Sequence, residues 1–225
     1  MDSTQARHAV AATARMLARA GLVEAFGHVS ARLDRGLAIT SVRPLGAAVA
    51  DDVVVCDHEG VPRAGPGEEL PLETSLHLAV YQVRPDVGAI CRGHPPSVVV
   101  WGAGTADLPL RHGLGALAGA TVRVHPDIDL VTDRARGVAV ARTLGTDQAV
   151  LLRANGALAV GADLSEAAAR LYFLEERARV ALAAADAEHV DAERWRQRMR
   201  HSPAELRRAI RWFVEAFCDP VTETI

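Results

Sequence analysis

The chain has 225 residues, of which 49% are hydrophobic and 24% are charged, so it can build one well-packed core but is too short for two large domains. Its formal net charge of −3 provides no long-range field to hold a polyanion, which argues against nucleic acid as a partner. All 25 basic residues are arginine, so no lysine amine is available to form a Schiff base with a carbonyl substrate.

The cysteines and the first residues indicate the compartment. Cys56, Cys91 and Cys218 are far apart in sequence and form no CxxC motif, a pattern that suits a reducing environment better than a disulfide scaffold. Residues 1–20 carry interspersed charges and hold no apolar run of signal-peptide length, and no other window approaches a membrane span. We therefore expect a cytoplasmic protein with no membrane contact.

The first half of the sequence predicts helices alternating with short strands. Apolar residues at helical spacing after a Ser3 cap predict a helix that runs to about residue 20. Runs rich in β-branched residues and bounded by turn residues predict strands near 28–33, 37–41 and 53–57. The same signals then predict a helix over 72–84, a strand over 87–91 and a helix over 97–104.

The alternation continues to about residue 185. The predicted elements are a strand over 121–124, a helix over 133–144, strands over 149–152 and 157–161, and a helix over 164–185 capped by Asp163 or Ser165. Interleaved strands and helices favour an α/β fold with helices on both faces of the sheet. Because several connections are too short for parallel crossovers, we expect a mixed, mostly antiparallel sheet.

The last forty residues differ in character from the rest. Residues 186–225 are dense in charge, with widely spaced aromatic residues as apolar anchors. We expect residues 1–185 to form the main domain and residues 186–225 to form a helical C-terminal extension that packs on the domain or on a neighbouring subunit.

Glu73 and His94 are the first candidate site residues. Glu73 lies at the start of a predicted helix, where backbone N–H groups favour an anion, and His94 follows the next predicted strand. A helix start and a strand end can share one cleft. The spacing alone favours structural roles instead, with Glu73 as a helix-dipole residue and His94 as a hydrogen-bonded scaffold residue.

Several motifs in order carry a family resemblance over roughly residues 8–182. These are LARAGLVEAFGHVSARL, AITSVRP, DDVVVCDHEG, PLETSLHLAVYQVRPDVGAICRGHP, VLLRANGALAVG and LEERAR. The chain resembles the class II aldolase/adducin superfamily, and its AFGHVSAR segment is most similar to the branch that contains 3-hydroxy-2-methylpyridine-4,5-dicarboxylate 4-decarboxylase. The resemblance implies an αβα fold around a mostly antiparallel sheet, assembled as a homotetramer with active sites between subunits.

The resemblance also implies a metal centre, and this sequence departs from it. The family's aldolases hold a divalent metal with an HxH pair and a third histidine in an N-H-G turn, and an acidic residue at the position of Glu73 acts as general acid/base. Here these segments read Arg92-Gly93-His94 and Ala154-Asn155-Gly156, so His94 is the one metal-ligating imidazole retained. A guanidinium has no lone pair to give and an amide oxygen is a poor zinc ligand, which argues against a tight zinc site.

Three interpretations follow from that departure. In the first, metal binding is lost, Arg92 supplies positive charge to a substrate carboxylate or enolate, and Glu73 and His94 move protons. In the second, a weaker metal, manganese or magnesium rather than zinc, is held by His94 with Glu73 or Asn155. In the third, the domain is a non-catalytic binding or assembly module like the adducin head. The cofactor therefore stays open.

Other residues are candidates for substrate binding. His28 and Ser30 lie where relatives line the pocket, although a turn followed by an ordinary strand explains the same pattern. Ser41 and Arg43 match the region that holds phosphate in sugar-phosphate aldolases, but Pro44 removes a backbone donor there, which favours a carboxylate. Asn155 is the last candidate for substrate binding.

Two further residues have structural alternatives. His77 follows Glu73 by one helical turn, so it either orients Glu73 or packs in the core. Strand alternation turns Cys91 away from Arg92 and His94 and predicts a core residue. The interpretation we favour is a homo-oligomeric lyase that decarboxylates or cleaves a small carboxylated substrate through Glu73, Arg92 and His94.

Overall fold

An eight-stranded sheet forms the centre of the protein. The computed structural model describes residues 2–64, 70–187 and 190–219. The strands are β1 His28–Leu33, β2 Gly36–Thr40, β3 Val53–Cys56, β4 Pro62–Ala64, β5 Ala89–Gly93, β6 Arg123–His125, β7 Ala149–Leu152 and β8 Ala157–Gly161. Their order is β4-β3-β2-β1-β5-β8-β7-β6, and all neighbours are antiparallel except β6 and β7. The predicted mixed, mostly antiparallel sheet is confirmed.

Helices cover both faces of the sheet. They are α1 Ser3–Arg19, α2 Thr74–Val83, α3 Pro96–Gly102, α4 Arg134–Leu144, α5 Leu164–Ala183, α6 Ala192–Met199 and α7 Ser202–Phe217. Buried residues of α1, α3, α5 and α7 pack on one face, and those of α2 and α4 pack on the other, which confirms the αβα arrangement. In the described part of the chain, no helix is long and apolar enough to cross a membrane.

The predicted elements differ from the observed ones mainly at their ends. Ser3 lies inside α1, and the cap is Asp2, whose carboxylate accepts a hydrogen bond from the Gln5 N–H at 2.8 Å. Asp163 caps α5, as one of the two predicted alternatives. β4 was not predicted because it is only three residues long and exposed, so it carries no apolar alternation.

The alternation of β1 and β5 determines which side chains face α2. Val29 and Cys91 pack in the cluster beneath α1 and α5, and the predicted core position of Cys91 is confirmed. His28 and Arg92, which are paired across the two strands, point to the opposite face, where α2 lies. The centre of the sheet thus presents an imidazole and a guanidinium side by side to the start of one helix.

The C-terminal helix α7 packs against α5 through aromatic rings. Phe213 is fully buried, and its ring centroid lies 5.0 Å from that of Phe217 and 5.8 Å from that of Tyr172 on α5. This packing joins residues of the predicted extension to the main hydrophobic core. The division into a domain over 1–185 and an extension over 186–225 stays a prediction.

Shortening Phe213 tests the contribution of α7 to stability. We expect Phe213→Ala to lower the free energy of unfolding by about 3–5 kcal/mol, because it removes a buried ring and leaves a cavity. Urea denaturation measures this change, and Arg211→Ala on the exposed side of α7 is the control, with an expected change within about 0.5 kcal/mol. Equal, small effects of both substitutions would show that α7 does not stabilise the domain.

Candidate active site

A cavity of about 420 Å³ lies where β5, the start of α2 and the turn between β7 and β8 meet. Seven of the eight predicted site residues line this cavity: His28, Ser41, Arg43, Glu73, Arg92, His94 and Asn155. The eighth, Ser30, is fully buried and does not line it. Ligand pockets in proteins are typically about 300–1,000 Å³, so the volume suits a small molecule.

A buried ion pair between Arg92 and Glu73 forms one wall of the cavity. Arg92 Nη2 lies 3.1 Å from Glu73 Oε2, and the two residues are 1% and 6% exposed. Glu73 was expected to be stabilised by the helix start, but its side chain caps no N–H of α2. Its other oxygen, Oε1, accepts a hydrogen bond from the Val131 N–H at 3.2 Å. The guanidinium, not the helix terminus, is therefore the main partner of this carboxylate.

These contacts keep Glu73 ionised. Burial by itself would raise the pKa of this carboxyl, but contact with His28, the positive charge of Arg92 and the Val131 N–H together lower the pKa to about 2. In the ligand-free protein Glu73 is thus an anion at neutral pH. It becomes a general acid only when its surroundings change.

Arg92 also determines the state of His94. Arg92 Nη1 donates to the carbonyl of Gly93 at 2.9 Å and to His94 Nε2 at 3.0 Å. Because Nε2 accepts, the proton of the neutral ring lies on Nδ1, which faces the Phe26 carbonyl at 3.3 Å. Burial, reinforced by the charge of Arg92, lowers the pKa of His94 below its usual range. His94 is therefore a neutral imidazole whose Nε2 lone pair is already engaged.

The side chains present do not fit the divalent metal of the family's aldolases. Such a metal would need the Nε2 lone pair of His94, which accepts from Arg92, and it would lie against a buried guanidinium of like charge. Within residues 2–64, 70–187 and 190–219, no group of three His, Cys, Asp or Glu side chains is arranged to hold a metal ion. The donor set thus argues against a metal at His94, whether zinc, manganese or magnesium.

The turn that carries Asn155 is closely packed against Arg92. Ala154 has a φ of 55°, an unusual value for a residue with a side chain, and Gly156 has a φ of 77°. A Cβ atom at Gly156 would lie 2.2 Å from the Gly93 carbonyl oxygen and 3.1 Å from Arg92 Nη1. Only glycine permits this approach, which brings the Asn155 side-chain amide to 3.3 Å from His94 Nε2. Because this Nε2 presents a lone pair, the amide must be flipped so that its NH2 group, not its oxygen, faces the ring.

A row of buried polar groups extends from Glu73 into the protein. His28 Nε2 lies 3.5 Å from Glu73 Oε2, and His28 Nδ1 lies 2.7 Å from His77 Nε2. Ser30 Oγ lies 2.7 Å from His77 Nδ1 and 2.8 Å from the Tyr81 hydroxyl. Ser30, predicted to contact substrate, therefore contacts His77 and Tyr81 instead, because its position in β1 points beneath α2.

Both histidines of this row are neutral. Burial lowers the pKa of His28, the contact with Glu73 opposes this shift, and the charge of Arg92 adds to it. Burial also lowers the pKa of His77 well below its usual range and raises the pKa of Tyr81 above its usual range. Tyr81 therefore keeps its proton at neutral pH.

Sequence reasoning missed Tyr81, although the spacing carries a signal. Glu73, His77 and Tyr81 follow one another at intervals of four, so they share one face of α2. His28 and Ser30 are two apart, so they share one face of β1. A polar stripe on a helix opposite polar alternate residues on a buried strand predicts a hydrogen-bonded network.

Ser41 and Arg43, which follow β2, also line the cavity. Arg43 Nε is 3.4 Å from Asp52 Oδ1, and the neighbouring Thr40 hydroxyl accepts from the Val29 N–H at 3.1 Å. Thr40 is thus a structural residue. His112, which precedes a short 3-10 helix, and His125, the last residue of β6, do not line the cavity.

The mouth of the cavity is apolar. Phe26, Val42, Leu72 and Leu130 line it, and they are 75%, 56%, 72% and 49% exposed. Such a rim suits the hydrocarbon or aromatic part of a ligand whose acidic group points inward, or the surface of another subunit. The homotetramer implied by the resemblance stays a prediction.

Comparisons with known proteins agree with the fold. The fold is that of class II aldolases: an L-fuculose 1-phosphate aldolase matches with a TM-score of 0.81 and 26% identity, over 88% of this chain and 96% of the other. Residues 8–182 match the family described as Class II Aldolase and Adducin N-terminal domain, and the chain belongs to this family. The family inferred from the sequence motifs is confirmed.

Curated relatives include a decarboxylase and a dehydratase. The 3,4-dihydroxyphthalate decarboxylase of Terrabacter sp. strain DBF63 is 32% identical over 204 residues, covering 83% of this chain and 84% of the relative. The methylthioribulose-1-phosphate dehydratase of Granulibacter bethesdensis is 32% identical over 183 residues, covering 74% of this chain and 85% of the relative. Together with the aldolase fold, these relatives support lyase-type chemistry.

The buried neutral histidines predict a loss of stability in acid. The lowered pKa values of His28, His77 and His94 mean that the unfolded chain binds protons that the folded chain does not, so stability is present above pH 6.5 and lost as the pH falls below it. Urea denaturation between pH 7.5 and pH 5 measures this slope. We expect His77→Gln to reduce it by about 1.4 kcal/mol per pH unit, the value of one proton.

The exposed His8, replaced in the variant His8→Gln, is the matched control for that experiment. An unchanged slope in His77→Gln would mean that His77 is protonated in the folded protein, against the hydrogen-bonded arrangement described above.

The donor set also predicts the metal content. We expect the purified protein to contain far less than one zinc per chain, because Arg92 and Asn155 replace two imidazoles of a three-histidine site. The double variant Arg92→His/Asn155→His is expected to gain zinc, and elemental analysis of both proteins after purification without chelators provides the comparison. One tightly bound zinc in the parent would contradict this prediction.

Proposed function

We propose that this protein is a metal-independent decarboxylase of a small acid with an apolar or aromatic body. The observation that carries the proposal is the buried Arg92–Glu73 pair on the wall of a cavity whose mouth is apolar. The pair offers a fixed positive charge and a carboxylate able to carry a proton, and the apolar mouth accepts the rest of the ligand. The decarboxylase among the relatives supports the same chemistry.

A carboxylate is the anion that this cavity fits best. Arg92 has one N–H of Nη2 beyond its contact with Glu73, and Arg43, whose Nε lies 3.4 Å from Asp52 Oδ1, also lines the cavity. Pro44 lacks the backbone donor that a phosphate-binding loop would use. A substrate carboxylate can therefore lie against Arg92, with its apolar part between Phe26 and Leu72.

Substrate binding itself prepares Glu73 as an acid. When a second carboxylate shares the Arg92 guanidinium, the two like charges repel, and the pKa of Glu73 rises from its low ligand-free value. Glu73 then takes up a proton. The carbon–carboxylate bond breaks, its electron pair stays on the substrate carbon, and the Glu73 proton forms the new carbon–hydrogen bond while carbon dioxide leaves.

Arg92 lowers the barrier by electrostatics. Its charge is held in place by the Gly93 carbonyl and by His94, so it needs no rearrangement when negative charge develops on the substrate. Retro-aldol cleavage passes through a similar anion, and decarboxylation is favoured here by the relative named above. The alternative, a non-catalytic assembly module, is favoured by the loss of two of the three metal-ligating histidines. Carbon dioxide release distinguishes this alternative from catalysis.

The test is carbon dioxide release from a panel of small acids. The panel contains ortho-hydroxylated aromatic dicarboxylates, including 3,4-dihydroxyphthalate, together with 3-oxo acids and a sugar phosphate as the contrasting class, all with a chelator present. Turnover of a carboxylated compound supports the proposal. No turnover and no thermal stabilisation by any acid would favour the assembly module, because a ligand that binds the folded state must stabilise it.

Substitutions assign the two roles. We expect Glu73→Gln to bind the acids but to lower kcat by about 10²–10⁴-fold, as is typical for loss of a general acid. Arg92→Ala should weaken binding of the acids by about 2–5 kcal/mol. Arg92→Lys should weaken binding by nearly as much, because an ammonium group cannot reproduce the planar set of N–H donors of a guanidinium. Arg142→Ala, on the exposed side of α4, is the control. Normal turnover in Glu73→Gln would exclude Glu73 as the acid.

A further inference from the structure

A second cavity lies on the other side of the polar row behind Glu73. Its volume is about 610 Å³, and Arg32, Tyr81, Gln82 and Arg134 are among the residues that line it. Of all the residues that line the two cavities, none is shared. The first cavity ends at Glu73 and His28, and the second ends at Tyr81.

Four side chains bridge the interval between the two cavities. They run from Tyr81 through Ser30 and His77 to His28, with successive separations of 2.8, 2.7 and 2.7 Å, and His28 lies 3.5 Å from Glu73. The two inner members, Ser30 and His77, are 0% exposed, whereas His28 and Tyr81 at the ends are 6% and 7% exposed. The row is thus a buried path with one end at each cavity.

The charge of Glu73 selects one direction of hydrogen bonding along this path. If His28 presented a lone pair to the Glu73 carboxylate, the two acceptors would repel each other, so His28 Nε2 carries the proton. His28 Nδ1 must then accept from His77 Nε2–H, His77 Nδ1 accepts from the Ser30 hydroxyl, and Ser30 accepts from the Tyr81 hydroxyl. Every donor therefore points toward Glu73.

We propose that Tyr81, Ser30, His77 and His28 form a proton relay that carries protons from the second cavity to Glu73. This inference rests on the proposed decarboxylation, which consumes one proton for each carbon dioxide released. His28 Nε2 gives its proton to Glu73, each donor behind it shifts one proton forward, and the Tyr81 oxygen regains a proton from solvent in the second cavity. One proton enters at Tyr81 and one is delivered at Glu73, which leaves both rings with the proton on Nδ1. After the product leaves, a solvent proton that binds His28 Nε2 from the first cavity drives the reverse shift and restores the original tautomers.

A separate path is needed because the substrate occupies the other one. Glu73 is only 6% exposed, and a ligand bound between it and the mouth would close its access to solvent. The 3.5 Å interval between His28 and Glu73 is the longest step. Catalytic hydrogen bonds in ligand-free proteins are often long and shorten when substrate binds.

Arg32 holds the outer end of the path. Its guanidinium donates to the carbonyls of Val87, Tyr81 and Arg84 at 2.7–2.9 Å, and it lies 4.5 Å from the centre of the Tyr81 ring. These contacts fix the end of α2 against β1. The Tyr81 ring can therefore keep its position when its hydroxyl is removed, which makes Tyr81→Phe a suitable variant.

The kinetic test compares Tyr81→Phe with Tyr172→Phe, at the second of the two tyrosines of the chain. We expect Tyr81→Phe to lower kcat at least about tenfold with KM changed by less than about twofold, because only proton delivery is impaired. The solvent deuterium isotope effect should change, and small acids such as imidazolium should restore turnover as their concentration rises. Tyr172→Phe should match the parent. Unchanged kcat in Tyr81→Phe, or lost activity without rescue, would overturn the relay.

Nitrogen NMR of the histidine rings tests the path without any turnover. In the parent, His28 and His77 should both be neutral with the proton on Nε2, and Ser30→Ala should alter the Nδ1 signal of His77. A proton on Nδ1 of either ring would overturn the relay even in an active enzyme. If the parent is active and the relay variants have normal activity, the relay is wrong and the proposed function stands. If the parent releases no carbon dioxide from any acid, the proposed function is wrong, and the relay then has no reaction to serve.

Discussion

The buried contact between Arg92 and Glu73 is the interaction on which the site depends. Removing two charged groups from water is costly, and the cost is offset only when every group finds a partner. Among the described residues, the two terminal nitrogens of Arg92 meet this condition through Glu73, His94 and the Gly93 carbonyl, whereas its buried Nε–H has no hydrogen-bond partner. Loss of either charged partner would leave an uncompensated buried charge, which typically costs about 3–5 kcal/mol.

Several properties follow from that one contact. Glu73 is ionised because His28 and the guanidinium of Arg92 both lower its pKa, and His94 carries its proton on Nδ1 because the same guanidinium donates to Nε2. The ionised Glu73 in turn orients His28, and His28 orients His77. The protonation states of four side chains thus depend on one arginine in the central strand of the sheet.

Much of the fold was predictable because its elements have strong local signals. The strands that form β7 and β8 were predicted with their observed bounds, since each is a short apolar run between turn residues. The cap of α1 was misplaced by one residue, because Asp2 and Ser3 are both good capping residues and only the backbone conformation separates them. The short exposed strand β4 has no periodicity to detect.

The membership of the site was more predictable than its interactions. Seven of the eight residues line one cavity. They were found from motifs that the sequence shares with a family, and such motifs lie at the strand ends and helix starts that surround a cleft. The position of His28 beside Arg92 depends on the register of β1 against β5, and the contact of Arg92 with Glu73 depends on how α2 packs on the sheet; sequence spacing determines neither. Ser30 does not line the cavity, because its side chain contacts His77 and Tyr81 beneath α2.

The positive charge at this centre is the guanidinium of Arg92, which is part of the chain and is not taken up from solution. A guanidinium belongs to the polypeptide, so each folded copy carries it from synthesis onward, without loading, exchange or competition among ions in the cell. It also stays charged in a buried setting where an ammonium group would readily lose its proton. In return, it offers directed N–H donors in place of open coordination positions, which suits anions that can be held by hydrogen bonds.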